Sequence, residues 1–208
     1  EKYGDPRRTR VIKGGAKILS DEDLVAEKES VLVFTEGGYV KRTDPGEYIS
    51  QKRGGVGVID LDTKEEDFVR TLFHTSTHSD LLFFTDKGKA YQMKMYEIAE
   101  GKRATRGKSI MNFLSLADSE KVTSILPMTK ELKQSKSSLV MLTKRGIIKK
   151  VAGDSFKDVR KSGLIAIKLK DGDELLSSLF VNKGDEIILA TKNGQAIRFK
   201  ESDAREMG

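Results

Sequence analysis

Four times along the chain, four apolar residues are followed by a Thr, two mostly polar residues and a Gly. The segments are Val31–Gly38, Leu81–Gly88, Leu139–Gly146 and Ile187–Gly194. The four glycines are 50, 58 and 48 residues apart, so the chain is a repeat with a period of about fifty. Each segment predicts the first strand and the turn of a β-hairpin, with the Gly taking the positive φ that a tight turn needs. The return strands, Tyr39–Arg42, Lys89–Gln92, Ile147–Lys150 and Gln195–Arg198, mix apolar and cationic positions. That is the pattern of a strand with one wet face. A second landmark follows, an Arg three or four residues before a Gly: Arg53 and Gly57, Arg103 and Gly107, Arg160 and Gly163, Arg205 and Gly208. Strand-like runs come after the first three, at Val58–Leu61, Ser109–Leu114 and Leu164–Ile167, and a further strand closes each unit around Val69–Leu72, Val122–Leu126 and Leu175–Leu179.

Four short strands in a repeated unit of this length predict an all-β, propeller-like array of four-stranded blades, not a solenoid or a sandwich. The expected repeats are about 31–80, 81–137 and 138–186, with a partial fourth at 187–208, so the array is incomplete or truncated. Residues 1–30 lie outside the repeat as a lead-in whose first residues look like a cut inside a longer chain. Within it, Asp21–Glu27 fits a short helix after Ser20 and a strand-flanking loop equally well. The hydrophilic stretch from Thr129 to Ser138 predicts an exposed loop between blades.

Composition narrows the chemistry. Of 208 residues, 37% are hydrophobic, enough for an ordinary core, and none is Cys. Disulfide frameworks, thiolate metal sites and cysteine nucleophiles are therefore excluded. No apolar run approaches the length of a membrane span, and the longest last about four residues, as in Leu81–Phe84. The 38 Lys and Arg against 32 Asp and Glu give a net charge of +6. The lead-in carries seven of each sign, so the whole excess belongs to residues 31–208. A modest basic excess points toward a polyanionic partner.

The cations recur at matched places: Lys41, Arg42, Lys52 and Arg53 in the first unit; Lys102, Arg103, Arg106 and Lys108 in the second; Lys149, Lys150, Arg160 and Lys161 in the third; Arg198 and Arg205 in the fourth. Repeats related by rotation would set such positions as a ring on one rim. A ring of phosphate contacts with no base-reading set predicts sequence-tolerant, salt-sensitive DNA binding. The sharpest local feature is Gln51-Lys52-Arg53-Gly54-Gly55-Val56-Gly57. Its glycines expose backbone N–H groups beside two cations, which suits a phosphate backbone and equally a tight turn with charged flanks. It lacks the Gly-Lys-Ser/Thr ending of a nucleotide-binding loop.

Other chemistry is weak. His74 and His78 lie four apart in a Ser- and Thr-rich turn, and Asp60, Asp62, Glu65, Glu66 and Asp67 form an acidic surface cluster. No nucleophile, metal set or acid pair recurs at a fixed place in the repeats, so no catalytic or metal site and no cofactor is expected. Phe34, Phe83, Phe84 and Phe180 fall in apolar runs and belong to the core. Tyr39, Tyr48, Tyr91 and Tyr96 lie near basic positions, beneath the expected rim.

The Gly-rich heptapeptide resembles the gyrase-A box, the Gln-basic-Arg-Gly-Gly-basic-Gly signature in the first blade of the bacterial DNA gyrase A C-terminal domain. Six of its seven positions fit, with Val56 standing where the pattern has a basic residue. Asp23-Leu24-Val25, Glu27, Gly38-Tyr39-Val40-Lys41-Arg42 and Tyr3-Gly4-Asp5-Pro6-Arg7-Arg8-Thr9 are similar to the same family. The resemblance implies a β-pinwheel, a propeller whose blades exchange hairpins, with duplex DNA bent around a basic rim. It also implies a non-catalytic domain of an ATP- and Mg2+-dependent type IIA topoisomerase, in the cytoplasm at the bacterial nucleoid. Its partners there would be double-stranded DNA, the catalytic region of the same polypeptide and the ATPase subunit, with no membrane. The related topoisomerase IV A subunit, whose box is degenerate or absent, and a protein-interaction propeller are the competing readings.

Overall fold

The computed structural model describes residues 2–4, 21–48, 53–55 and 67–207. Strands β1 (Glu29–Thr35) and β2 (Tyr39–Thr43), β4 (Asp80–Thr85) and β5 (Lys89–Lys94), β8 (Ser138–Thr143) and β9 (Ile148–Ala152), and β12 (Glu186–Ala190) and β13 (Ala196–Lys200) form the four hairpins. The Thr-x-x-Gly signature is explained by the turn itself. In each hairpin the Gly N–H donates to the carbonyl of the Thr three residues earlier, at 2.9–3.1 Å. In three of the four the Thr hydroxyl also accepts the N–H of the residue after the Gly: Thr35 from Tyr39, Thr143 from Ile147 and Thr191 from Gln195. All four glycines have φ between 73° and 81°, where a Cβ would be strained.

A third strand pairs antiparallel with the first strand of each of the first three hairpins. These are β3 (Val69–Ser76), β7 (Val122–Met128) and β11 (Leu175–Val181), and each runs beyond the segment expected from sequence.

In the first two sheets the fourth strand comes from the next repeat. β6 (Lys108–Ser109) joins β2, giving the order β3-β1-β2-β6, and β10 (Leu164–Ile165) joins β5, giving β10-β5-β4-β7. Both exchanged strands are two residues long, shorter than the runs expected there. After β6 the Ser109 hydroxyl accepts the Met111 N–H, and the chain turns into a 3-10 helix that drops Ile110 into the core. The latch is the same in both joints: Ile110 N–H donates to the Gly38 carbonyl and Ala166 N–H to the Gly88 carbonyl. At the third sheet, β11-β8-β9, Met207 N–H donates to the Lys150 carbonyl from repeat four. Gly107 and Gly163 sit where the exchanged segment crosses the older sheet. A Cβ would lie 2.6 Å from the Val40 carbonyl at Gly107 and 2.6 Å from the Tyr91 ring at Gly163. Glycine is therefore required at both for contact as well as for φ.

The apolar core is divided by the same logic. One cluster, including Leu32, Phe34, Leu81, Phe83 and Ile110, spans repeats one and two. A second, including Leu82, Phe84, Leu139, Met141 and Phe156, spans repeats two and three. Strand β4 contributes alternate residues to each, so both its faces are buried. A smaller cluster of Val140, Val181 and Ile187 joins repeats three and four.

Residues 21–27 contain a four-residue helix, α1 (Asp21–Leu24), and Thr129 caps a second, α2 (Lys130–Gln134), inside the stretch expected to be a loop. The lead-in is tied to the turn between β3 and β4. Thr77 exchanges backbone and side-chain bonds with Lys28 and Ala26, and His78 Nε2 lies 2.8 Å from the Val25 carbonyl.

Candidate nucleic-acid interface

The strand exchange mounts the landmark loops of the second and third repeats on the outer edge of the sheet before each, opposite β3 and β7. Loop 101–107 rides on β2 and loop 158–163 on β5, while residues 204–207 meet β9. The cations expected on the rim divide into two groups there.

Three of them do not face solvent, which corrects the sequence reading. Lys41 is 1% exposed and its ammonium donates to the carbonyls of Lys102 and Arg103. Arg42 is also buried, with Nε donating to the Ile98 carbonyl at 3.3 Å and Nη1 pairing with Glu100 at 2.9 Å. Lys150, the matched residue of repeat three, donates to the Glu201 carbonyl at 2.9 Å and its carboxylate at 2.7 Å. The hydrogen bond and charge of that ammonium hold the Glu201 carboxyl below its ordinary range. The matched residue of repeat two is the neutral Gln92, which bonds the Lys157 carbonyl and the Val159 N–H. A return strand buried on both sides needs donors to hold the incoming loop, and these side chains supply them. Lys149 is half-buried and donates to the Ala166 carbonyl at 3.3 Å.

The second group stays at the surface. Arg53, Lys102, Lys108, Arg160, Lys161, Arg198 and Arg205 are exposed. Lys161 pairs with Glu97, and Arg198 lies 3.7 Å from Glu186. The side chains of Arg53, Lys102, Lys108, Arg160 and Arg205 form no hydrogen bond or ion pair among the described residues. Gly54, beside Arg53, has φ +90° and open space around it. Gln51, Lys52, Val56 and Gly57 of the Gly-rich loop lie outside the described residues, as do Val58–Leu61 and Asp60–Glu66. Arg103 and Arg106 are half-buried. Arg103 is anchored through its N–H and Nη1 to the side chain and carbonyl of Glu47, and the Arg106 Cζ lies over the Tyr39 ring, 3.8 Å from its centroid.

Beside Tyr91, whose ring packs against Gly163 of the third landmark loop, sits a buried carboxylate that sequence reading missed. Glu120 accepts from the Thr85 hydroxyl at 2.6 Å, the Tyr91 hydroxyl at 3.1 Å and the Ala117 N–H at 3.1 Å, with the Lys89 ammonium 3.4 Å away. Burial pushes its carboxyl up, but these donors together hold it below the ordinary 4.5. Its charge in turn raises the Lys89 ammonium. The sign follows: the stabilisation is full above the unfolded value and is lost as pH falls through the lower folded value. Thermal melts between pH 7 and pH 3 should therefore show a fall below about pH 4.5. Glu120→Gln should start lower and lose less over that interval; parallel curves would remove Glu120 from the acid transition.

Comparison with known proteins follows the same repeat. The profile of the family described as DNA gyrase C-terminal domain, beta-propeller, matches residues 29–76, 79–127, 137–182 and 185–208. The chain belongs to this family. Among its relatives, the DNA gyrase A subunit from Clostridium acetobutylicum is 46% identical over 207 residues, and its counterpart from Streptococcus pyogenes serotype M1 is 42% identical over the same length. Each match covers all of this chain and 25% of the relative, so the chain spans about a quarter of the length of these relatives. Among solved structures, a DNA topoisomerase IV C-terminal domain aligns with TM-score 0.72 and 26% identity over 88% of this chain and 55% of that one. A DNA gyrase A C-terminal domain aligns with TM-score 0.67 and 29% identity over 86% and 57%. The gyrase-type fold is thus the β-pinwheel expected from the sequence, with its array of sheets not closed. No helix among the described residues is long and apolar enough to cross a membrane.

Proposed function

We propose that residues 31–208 bind duplex DNA without sequence preference and bend it along the outer rim, presenting a segment for strand passage by a gyrase-type topoisomerase. The observation that carries this reading is what remains after the internal cations are removed. Arg53, Lys102, Lys108, Arg160 and Arg205 are exposed, lack protein partners among the described residues, and lie at or beside the landmark in four successive repeats. Charges recurring in every repeat suit a smooth, regular polymer of phosphates better than a compact acidic protein. DNA following them must bend, at a cost of several kcal/mol by elastic estimates, which the phosphate contacts offset. The Gln51–Gly57 loop is proposed as part of that path. The partners in the whole enzyme would be the catalytic region of the same polypeptide and the ATPase subunit.

One observation favours a second reading. Val56 removes a cation from the box, and a topoisomerase IV C-terminal domain aligns well with this fold, so a role in relaxing or decatenating DNA follows if the bend has no fixed hand. Ligation of nicked circular DNA with increasing protein separates the two. A protein-dependent shift in linking number, reduced by Lys52→Ala with Arg53→Ala, supports gyrase-type wrapping. Binding with an unshifted distribution supports the second reading, and no binding at low salt rejects both.

A further inference from the structure

Loops 51–57 and 101–107 occupy the same place in their repeats. Counted back from Gly57 and Gly107, Lys52 matches Lys102, Arg53 matches Arg103, and Val56 matches Arg106. Repeat two therefore carries all three cations where repeat one carries two. The third and fourth repeats have Ser162 and Met207 at this position, so Arg106 is the one cation of the set.

Its surroundings are equally particular. The guanidinium lies against Tyr39 of repeat one, a position held by Lys89, Ile147 and Gln195 in the other repeats. Arginine and aromatic thus occur together at a single joint, and nothing in the repeated fold demands the pair. Arg106 forms no hydrogen bond or ion pair with the described residues, and its Nε is buried without a partner. The loop beneath it is fixed. Arg103 is clamped to Glu47, Lys41 donates to two loop carbonyls, Thr105 bonds the Lys102 carbonyl through both its N–H and its hydroxyl, and Val40 pairs with Lys108. A guanidinium fork held over a ring, in a loop anchored at several points, is pre-organised for an oxyanion. Lys102 and Lys108 flank it, both exposed.

We infer that Arg106, stacked on Tyr39 and flanked by Lys102 and Lys108, is a phosphate clamp for the duplex, supplying from repeat two the cation that Val56 withholds from repeat one. The inference rests on the DNA-binding reading above, and it adds a specific seat on the path of the duplex.

The test is a salt titration of duplex binding by the full chain and by Arg106→Gln, Arg106→Lys and Tyr39→Phe, with melts to confirm equal folding. Gln keeps the stem over the ring and removes the charge. It should lower affinity roughly tenfold and reduce the slope of log K against log salt by about one contact. Lys should keep the slope but lose affinity, because the charge remains while the planar fork is gone. Tyr39→Phe, which keeps the ring, should bind as the parent does. A parent that binds normally beside an Arg106→Gln protein of unchanged slope and affinity overturns the clamp alone. A parent with no more affinity than expected of any protein of its charge overturns the DNA reading and the clamp together.

Discussion

Raising salt from about 50 to about 200 mM should cost this protein roughly a thousandfold in duplex affinity. The figure follows from six cations: Arg53, Lys102, Arg106, Lys108, Arg160 and Arg205. Each neutralised phosphate releases condensed counterions and contributes about −0.9 to the slope of log K against log salt, so six give a slope near −5. Counting every cation noted in the sequence would predict a steeper dependence. Lys41, Arg42 and Lys150 are withdrawn from that count because their charges already face carbonyls and carboxylates inside the fold. Fluorescence anisotropy with a labelled duplex at several salt concentrations measures the slope directly. A value near −1 or −2 would mean that the rim is not engaged as a set, and independence of salt would exclude phosphate binding.

Phe83→Ala should be among the most damaging single changes, destabilising by about 3–5 kcal/mol. Phe83 is fully buried, lies opposite Tyr91 and Ile125 in its sheet, and belongs to the cluster that joins repeats one and two. Its removal opens a cavity lined from two repeats. Neighbouring Leu82 and Phe84 face the other cluster, so β4 cannot shift to fill the space without disturbing the second joint. Ile188→Ala, at a site 67% exposed, should stay within about 0.5 kcal/mol and serves as the control. Denaturant titration of both variants decides it, and similar midpoints would mean that the sheets pack more loosely than this core implies.

The hairpins were legible because their signature is local. Thr and Gly act within one turn, and the apolar run before them is a whole strand. The exchanged strands were only partly legible. β6 and β10 are two residues each, too short for any periodicity, and their partners lie some seventy residues away in sequence. The expected run at Ser109–Leu114 looked like a longer strand because Ile110 is apolar for packing, not for pairing.

The rim divided along the same line. Arg53, Lys102, Arg160 and Arg205 are exposed as their charge implies. The interior role of Arg42 and Lys150 was hidden because a cation in a return strand looks the same whether it faces water or a carbonyl. Gln92 was the available signal: a neutral amide at the matched place marks a position that requires hydrogen bonds, with charge optional. Glu120 gave no such signal, since one Glu in a polar stretch does not announce that a Tyr and a Thr will converge on it.

The exchanged strand also bears on how such an array is inherited. The first two sheets are each completed by the stretch of chain that follows them, so the folded unit and the fifty-residue coding unit are out of step. A gene cut at sheet boundaries would yield a piece lacking its last edge. Duplication or loss of one period, wherever it begins, leaves every internal donor with a recipient and disturbs only the two extremities. The number of sheets is therefore free to drift between lineages without any joint being reinvented, and the length of surface offered to a partner drifts with it.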